Sequence, residues 1–354
     1  MALVASGDSW DRTARMSKEK DGLFGDAAGL WFPAEYARKL RSKPRRVWVA
    51  GEAIALFRDH QGRAHALIDR CPHRGVALSL GRVLEDGCLE CPFHGWRFDG
   101  EGACTKVPLN PEAKRERLSA QALPVVERGG MIWLYTGLAL PSGDQGPHVA
   151  PTLERGDLRR RHHEVVFAAH WTRAMENMLD TPHLPWVHRR TIGAGMLPNQ
   201  EATMELRIDP REHGFRLSWQ VSGTPELPPE RQPWLEWWQP CGMVLNIDNP
   251  LGTYRQHVFC VPGKPGETRM MIVSSRKLML GLDLLGWPMM SWFEDKILGE
   301  DRAVVESSRP ARVPPASEER SVATDEPTLK FRKWFWQHQH ELDQAAKHHL
   351  PIAG

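Results

Sequence analysis

Two short segments of the sequence each pair a cysteine with a histidine. They are Cys71-Pro72-His73 and Cys91-Pro92-Phe93-His94, and seventeen residues separate them. Two thiolates and two imidazoles suit a [2Fe–2S] centre in which the thiolates bind one iron and the imidazoles bind the other. Because neutral imidazoles replace two thiolates, the reduction potential of such a centre lies above that of an all-cysteine ferredoxin. The four residues therefore predict a centre that transfers single electrons.

A zinc ribbon is the alternative for the same region. Cys71, Cys88, Cys91 and Cys104 could supply four thiolates, and residues 88–91 form a CxxC motif. The repeated pairing of one sulfur with one imidazole favours the iron–sulfur centre. Residues that allow the backbone to turn sharply lie beside the ligands, namely Pro72, Gly75, Pro92 and Gly95.

Two further histidines, His183 and His188, lie in a segment that contains prolines. Side chains five residues apart point roughly 140° away from each other on an ideal helix, so these two share a metal only if the helix is broken. Pro182 and Pro185 supply that break. Two histidines and one carboxylate form the ligand set of mononuclear non-haem iron(II) oxygenases. The candidate carboxylates lie together on a predicted helix: Glu294, Asp295, Glu300 and Asp301.

The histidine pair by itself would equally fit two ordinary surface histidines, and Asp180 could be a helix cap. Together with the upstream motif, however, it resembles the catalytic α subunits of Rieske non-haem iron oxygenases. CPHRG at residues 71–75 and CPFHGW at residues 91–96 match the Rieske motifs. The signature Asn-x2-Asp-x2-His-x4-His is met by Asn177, Asp180, His183 and His188. The resemblance is closer to the homotrimeric, monooxygenase-like members than to dioxygenases with a second subunit.

The resemblance implies roles for individual residues. In the family the third iron ligand is an aspartate followed by apolar residues and a glutamate, which residues 301–306 match, so Asp301 is expected and Asp295 is the fallback. In a head-to-tail trimer the family's counterpart of Asp180 bridges His94 of a neighbouring chain to His183. Asn177 is expected to support the local backbone or the pocket.

The resemblance also implies a function. The chain is expected to be a terminal oxygenase that hydroxylates or demethylates a hydrophobic aromatic or alicyclic substrate with dioxygen. Electrons would come from a separate NAD(P)H-dependent reductase or ferredoxin, which basic clusters could dock: Lys39–Arg46, Lys114–Arg117 and Arg159–Arg161. The alternatives are desaturation, oxidative cyclisation or dihydroxylation at the same iron and, more remotely, an electron-transfer protein without oxygenase activity.

The elements that must position these residues fall into two regions. We predict an N-terminal arm (1–27), an all-β Rieske domain (28–140), a linker (141–151) and an α+β catalytic domain (152–350) of the helix-grip kind, with a helix on an antiparallel sheet. The expected strands of the second region are 164–168, 202–208, 214–221, 242–247, 254–261 and 268–274. Its expected helices are 170–179, 284–307 and 326–348, and expected turns include 209–212 and 249–252.

Composition agrees with a two-domain enzyme. The chain has 354 residues, of which 41% are hydrophobic, and a formal net charge of +2 argues against nucleic acid as its main partner. No apolar run is long enough to cross a bilayer, and six cysteines in so large a chain do not indicate a disulfide scaffold. We therefore expect a cytoplasmic protein.

Overall fold

The computed structural model describes residues 22–197, 199, 201–228, 231–249, 252–278 and 287–348. The chain divides into two compact units. Among the described residues, the first unit holds residues 22–147 together with Pro262–Pro265, and the second holds the others from His148 onward. Most of the expected N-terminal arm lies outside the described residues, as do the middle of the expected turn at 249–252 and the expected helix start at 284.

Eleven short strands make up the described part of the first unit. They are β1 (Trp31–Tyr36), β2 (Arg45–Val49), β3 (Glu52–Arg58), β4 (Ala64–Ile68), β5 (Arg82–Val83), β6 (Leu89–Glu90), β7 (Arg97–Phe98), β8 (Cys104–Lys106), β9 (Ala122–Leu123), β10 (Val125–Arg128) and β11 (Met131–Tyr135). They form a three-stranded sheet (β1-β11-β10) and two four-stranded sheets (β2-β3-β4-β9 and β5-β6-β7-β8). Short 3-10 helices occur at Gly25–Ala27, Ala37–Lys39, Leu78–Leu80 and Arg115–Arg117. The predicted all-β architecture of this half is confirmed.

Two turns, each closed by an aspartate, shape the hairpins beside the Cys/His segments: one precedes the first segment and one follows the second. The Asp59 carboxylate accepts the N–H groups of Gln61 and Arg63, both at 2.9 Å, and so closes the turn between β3 and β4. Asp99 closes the turn between β7 and β8 in the same way. Cys71 follows the end of β4 and Cys91 follows β6 directly, which places both cysteines in the core of this unit.

The second unit combines a large sheet with helices. Its elements are α1 (Pro151–Glu154), β12 (Arg159–Phe167), α2 (Trp171–Leu179), α3 (Leu184–Val187), β13 (Met204–Arg211), β14 (Gly214–Val221), β15 (Trp234–Trp238), β16 (Gly242–Asn249), β17 (Gly252–Pro262), β18 (Thr268–Leu278), α4 (Trp287–Ser307) and α5 (Glu326–His348), with short 3-10 helices at Ala316–Glu318 and Ala323–Asp325. The seven strands form one sheet in the order β12-β18-β17-β16-β15-β14-β13. The predicted α+β architecture is confirmed.

Helices α4 and α5 are held by different chemistry. On α4 the buried Glu294 accepts hydrogen bonds from Arg161 on β12, Tyr254 on β17 and Ser274 on β18, at 2.6–2.9 Å. These bonds fix one face of α4 against the sheet. Helix α5 instead contributes aromatic rings to the core, where the buried Trp171 packs edge-on against Phe331 and Phe335.

The structure corrects three element predictions. Strand β15 was not predicted. Its five residues lie between segments that contain prolines, and the glutamate at its centre interrupts the apolar run. Strand β13 runs on through residues 209–211, at the position of a predicted turn, and Pro210 is tolerated there because β13 is an edge strand. Strand β12 begins at Arg159 rather than at residue 164. It is the other edge strand of the sheet, and the charged residues in its first half hide the apolar alternation by which a strand is recognised. No described helix is long and apolar enough to cross a membrane.

Candidate functional site

The two Cys/His segments form turns of the same shape. In the first turn the Cys71 N–H donates to the Val76 carbonyl and the Gly75 N–H donates to the Cys71 carbonyl, both at 2.8 Å. The corresponding bonds of the second turn run from Cys91 N–H to Trp96 O (2.8 Å) and from Gly95 N–H to Cys91 O (3.0 Å). Both glycines have left-handed φ values, +72° and +68°, which other residues adopt only with strain.

The side chains of these turns separate into a buried sulfur pair and an exposed imidazole pair. Cys71 and Cys91 are both 2% exposed. Burial raises the pKa of the Cys71 thiol to about 11; the backbone N–H of His73 lowers it and the adjacent Cys91 thiol raises it further. The rings of His73 and His94 lie 4.7 Å apart between centroids, and His73 also stacks on Trp96 at 4.5 Å. Paired thiols and paired imidazoles fit a [2Fe–2S] centre with mixed ligands.

The alternative of a four-thiolate zinc site does not match the contacts of the other two cysteines. The Cys88 thiol lies 3.5 Å from the Thr105 hydroxyl, and the Cys104 thiol lies 3.8 Å from the Lys106 carbonyl oxygen. Across the described residues, the group of ligand atoms close enough to hold a single ion lies elsewhere, at His183, His188 and Asp301. The structure therefore favours the iron–sulfur interpretation.

The second group forms where helix α2 ends and a short helix begins. Helix α2 stops at Leu179, and α3 starts at Leu184 with Pro185 in its first turn. His183 is the N-cap residue of α3 and His188 is its C-cap residue. The break in the helix, expected from the prolines, thus puts the two imidazoles at opposite ends of one short helix. Both rings face α4.

Asp301 on α4 meets both imidazoles. Its Oδ1 atom lies 3.0 Å from His188 Nε2 and 3.5 Å from His183 Nε2, and one ligand atom of each of the three residues lies within 4.8 Å of the others. His188 and Asp301 are almost fully buried, at 1% and 2% exposure. Neither contact has the alignment of a hydrogen bond, so Oδ1 is a buried acceptor without a hydrogen-bonded partner in the described structure. A cation between these three atoms would satisfy it.

The ionisation of Asp301 also suits a metal. Burial would raise the pKa of Asp301, but contacts with His183, His188 and Asn177 hold it down at about 2. Burial would likewise lower the pKa of His188, but Asp301 and Glu300 raise it. The carboxylate is therefore charged at neutral pH, as an iron ligand must be.

The other carboxylates considered as ligands are engaged elsewhere. Glu294 is bound by Arg161, Tyr254 and Ser274, as described above. Asp295, the fallback, is about half exposed and lies 2.7 Å from His163 Nε2, so the structure does not bring it to the two histidines. Glu300 contacts His188 through the other ring nitrogen, Nδ1, at 2.9 Å. Sequence reasoning missed this contact, for which the only signal was that Glu300 precedes Asp301.

Asn177 and Asp180 lie beside the triad. The Asn177 side-chain nitrogen is buried and lacks a hydrogen-bond partner among the described residues, although its side chain helps to lower the pKa of Asp301. Burial raises the pKa of Asp180, which His183 counteracts. The His183 Nδ1 atom is also buried and has no hydrogen-bond partner in the described part of the chain.

Comparison with known proteins agrees with this geometry. Residues 30–125 match the family model of the Rieske [2Fe-2S] domain, and residues 167–338 match that of the vanillate O-demethylase oxygenase C-terminal domain. The chain belongs to the Rieske non-haem iron oxygenases. The resemblance found in the sequence motifs is thereby confirmed. As a Rieske oxygenase, the chain carries a [2Fe–2S] cluster and a mononuclear non-haem iron.

Individual relatives of this Rieske oxygenase vary in name and length. Chlorophyllide a oxygenase of Chlamydomonas reinhardtii is 29% identical over 324 residues, which cover 86% of this chain and 47% of the relative. The 4beta-methylsterol monooxygenase of Methylococcus capsulatus is 39% identical over 171 residues, covering 47% of this chain and 46% of the relative. The chain thus spans about half the length of the curated relatives it matches.

Among solved structures, dicamba monooxygenase bound to dicamba is similar, with a TM-score of 0.70 over 90% of this chain and 99% of that chain at 23% identity. This likeness shows a shared fold.

Proposed function

We propose that this chain is a terminal oxygenase that uses dioxygen and electrons from a separate reductase or ferredoxin to hydroxylate or demethylate a hydrophobic organic substrate. The observation that carries the proposal is the buried group of His183, His188 and Asp301 in the same chain as a Rieske motif. A pure electron carrier needs no second metal site, so the group disfavours electron transfer as the sole function.

We assign the metal ligands from the contacts described above. Cys71, His73, Cys91 and His94 would hold the [2Fe–2S] cluster, and His183, His188 and Asp301 would hold the iron. An iron held by two histidines and one carboxylate would supply the chemistry of dioxygen activation, and the cluster would supply an electron. The protein's contribution is to keep Asp301 ionised and to aim two imidazoles at one buried point. Helices α3 and α4 do this together.

The names of the relatives support an aromatic or alicyclic substrate. They refer to a chlorophyllide, a methylsterol and dicamba, and the second domain matches the model of an O-demethylase. Each of these proteins is named as an oxygenase or demethylase. We therefore propose a hydrophobic substrate that is hydroxylated or demethylated.

We further propose that the working assembly is a homotrimer in which Asp180 links His183 to His94 of a neighbouring copy. The support is chemical. His94 is exposed, His183 Nδ1 is a buried donor without a hydrogen-bond partner in the described chain, and Asp180 lies beside it. A carboxylate that accepts one N–H from each imidazole would fix both rings. Asn177 would support this arrangement from the side of Asp301.

The docking site for the electron donor is proposed on the first unit. In the cluster Lys39–Arg46, Lys39 and Arg45 pair with Glu35, while Arg41 and Lys43 are exposed. The cluster Lys114–Arg117 is exposed throughout. Arg161 of the third cluster is committed to Glu294, so that cluster is a weaker candidate. An acidic ferredoxin or reductase would complement the first two.

A cytoplasmic location is part of the same proposal. None of the six cysteines forms a disulfide, as expected for a protein in a reducing compartment.

The proposal is tested by steady-state turnover with a surrogate reductase. NADH and oxygen consumption would be measured across a panel of aromatic and alicyclic compounds, with product analysis. We expect at least one compound class to stimulate oxygen uptake and to yield a hydroxylated or demethylated product. Uptake that no compound stimulates, in protein holding both metals, would refute the proposal.

A further inference from the structure

Both nitrogens of the His188 ring face carboxylates. Nε2 lies 3.0 Å from Asp301 Oδ1, and Nδ1 lies 2.9 Å from Glu300 Oε2. Glu300 and Asp301 are consecutive residues of α4, so one helix meets a single ring from two sides. A ring whose Nε2 lone pair is to bind a metal must carry its proton on Nδ1. Glu300 is the acceptor for that Nδ1–H.

The second imidazole of the triad is held differently. His183 Nδ1 has no hydrogen-bond partner in the described chain, whereas His188 Nδ1 is engaged by Glu300. The two histidines therefore differ in what fixes their rings. Only the His188 ring has its tautomer set by a side chain of its own described chain.

The Glu300 carboxylate is itself positioned by the turn that follows α3. The Thr191 hydroxyl donates to the same Oε2 atom at 2.7 Å. The N–H groups of Thr191 and Gly193 both donate to the His188 carbonyl, at 2.8 and 3.0 Å, which folds the turn back on the ring. A Cβ atom at Gly193 would lie 2.0 Å from the Leu184 carbonyl oxygen, so this tight turn requires glycine. Ring, turn and carboxylate form one connected unit.

We propose that Glu300 is a positioning residue that holds His188 as an Nε2 ligand and raises the affinity of the site for its metal. The inference rests on the proposed iron-binding role of His183, His188 and Asp301. Glu300 orients the ring, sets its tautomer and increases the basicity of Nε2, as carboxylates behind metal-bound histidines generally do. Glu300 is not one of the three residues whose ligand atoms converge, and its Oε2 atom is used by Nδ1 and Thr191.

The test is a Co²⁺ titration of full-length protein that retains its Rieske cluster but has been depleted of mononuclear metal. The visible absorption of Co²⁺ reports both affinity and ligand geometry. We expect Glu300→Ala to raise the dissociation constant by about 10- to 100-fold. Glu300→Gln keeps an oxygen that accepts the Nδ1–H, so it should recover part of the affinity. Thr191→Val should weaken binding less than Glu300→Ala, because the carboxylate remains.

The matched control is Asp295→Asn. Asp295 also lies on α4 and contacts a histidine, His163, but stands outside the triad. We expect this variant to bind Co²⁺ as the wild type does, and all variants to keep the Rieske absorption spectrum. If Glu300→Ala does not fold, Glu300→Gln and Thr191→Val carry the same test.

Wild-type affinity and an unchanged Co²⁺ spectrum in the Glu300 and Thr191 variants would overturn the inference. Equal weakening by Asp295→Asn would overturn it too, since that would indicate a general effect of charge on α4. The Co²⁺ titration requires no turnover, so its result does not depend on the proposed activity. Protein that binds Co²⁺ in this Glu300-dependent way but oxidises no substrate would refute the proposed function alone.

Discussion

At the scale of single residues, the neighbours of each carboxylate on α4 decide its role. Glu294, Asp295 and Asp301 each contact a different set of cations or imidazoles, although they lie within two helical turns. The sequence presents these residues as candidate ligands, but it does not show which of them contacts the two histidines. The choice depends on the rotation of α4 relative to α3 and β12, which only packing determines. The family motif, by contrast, indicates Asp301, because the residues that follow it in the sequence match the motif and no packing information is needed.

Asp180 is the residue with the sharpest predicted effect on electron flow. Replacing it by asparagine removes the charge and one acceptor between His183 and the expected His94 of a neighbouring copy, while Cys71 and Asp301 are untouched. We expect Asp180→Asn to keep both metals and to lose turnover by at least about 100-fold, an effect of roughly 3 kcal/mol on the barrier. Metal analysis and rapid-mixing measurement of cluster reoxidation would check this. Wild-type reoxidation in the variant would contradict it.

At the scale of elements, the site depends on one short helix between two turns. Helix α3 is only four residues long, so its geometry is set by its neighbours rather than by its own propensity. The turn after it is closed by hydrogen bonds to the His188 carbonyl from Thr191 and Gly193. A substitution in this turn should therefore weaken metal binding even though it changes none of the ligands.

Gly193→Ala tests that dependence. The added Cβ would lie 2.0 Å from the Leu184 carbonyl oxygen, which forces the turn or α3 to move. We expect a loss of about 1–3 kcal/mol in the free energy of unfolding and weaker binding of mononuclear iron. The control is Gly156→Ala, where the added methyl group would meet no described atom within 4 Å and the change should be neutral. Full iron occupancy and unchanged stability in Gly193→Ala would argue against this view.

A buried histidine links α1 to the sheet. His257 is fully buried; its Nε2 lies 2.8 Å from the Thr152 hydroxyl and its Nδ1 lies 3.4 Å from the Val273 carbonyl oxygen. A neutral ring satisfies both partners, with Nδ1–H as donor and Nε2 as acceptor. Burial lowers the pKa of His257 to about 4.

The pH dependence of stability follows from that shift. Between pH of about 6.5 and 4 the unfolded chain binds a proton at His257 that the folded chain does not, so the free energy of unfolding falls as pH falls. The loss of stability is about 3 kcal/mol and is complete only below pH 4, where both states are protonated. Urea unfolding at a series of pH values would compare the wild type with His257→Gln. The gap between the two curves should narrow as pH falls; parallel curves would contradict the prediction.

Much of the fold could be predicted where the pattern was local. The strand Gly214–Val221 and the helix Glu326–His348 have the predicted bounds, because turn residues flank each of them. Strand β15 could not be found, since its pairing with β14 and β16 rather than its five-residue pattern determines it. The contact between His188 and Glu300 was missed for a similar reason: 112 positions separate the two residues.

At the scale of the whole molecule, the chain joins a one-electron centre to a second metal site. Each site lies within its own unit and is built mostly from residues close together in the sequence. The exception is Asp301, which is far from His183 and His188 in the sequence. Neither site alone explains the chain, because a Rieske domain by itself would suffice for an electron carrier. The central claim is that the two sites act together on dioxygen and an organic substrate.

A single-turnover experiment tests this claim most directly. Wild-type protein with a reduced Rieske cluster would be mixed with ¹⁸O₂ and a substrate found in the screen, beside His183→Ala with an intact cluster spectrum. We predict that wild-type protein reoxidises its cluster and forms product, whose new hydroxyl oxygen in a hydroxylation comes from ¹⁸O₂, while the variant forms none. Equal product from His183→Ala, or wild-type product without cluster oxidation, would contradict the account.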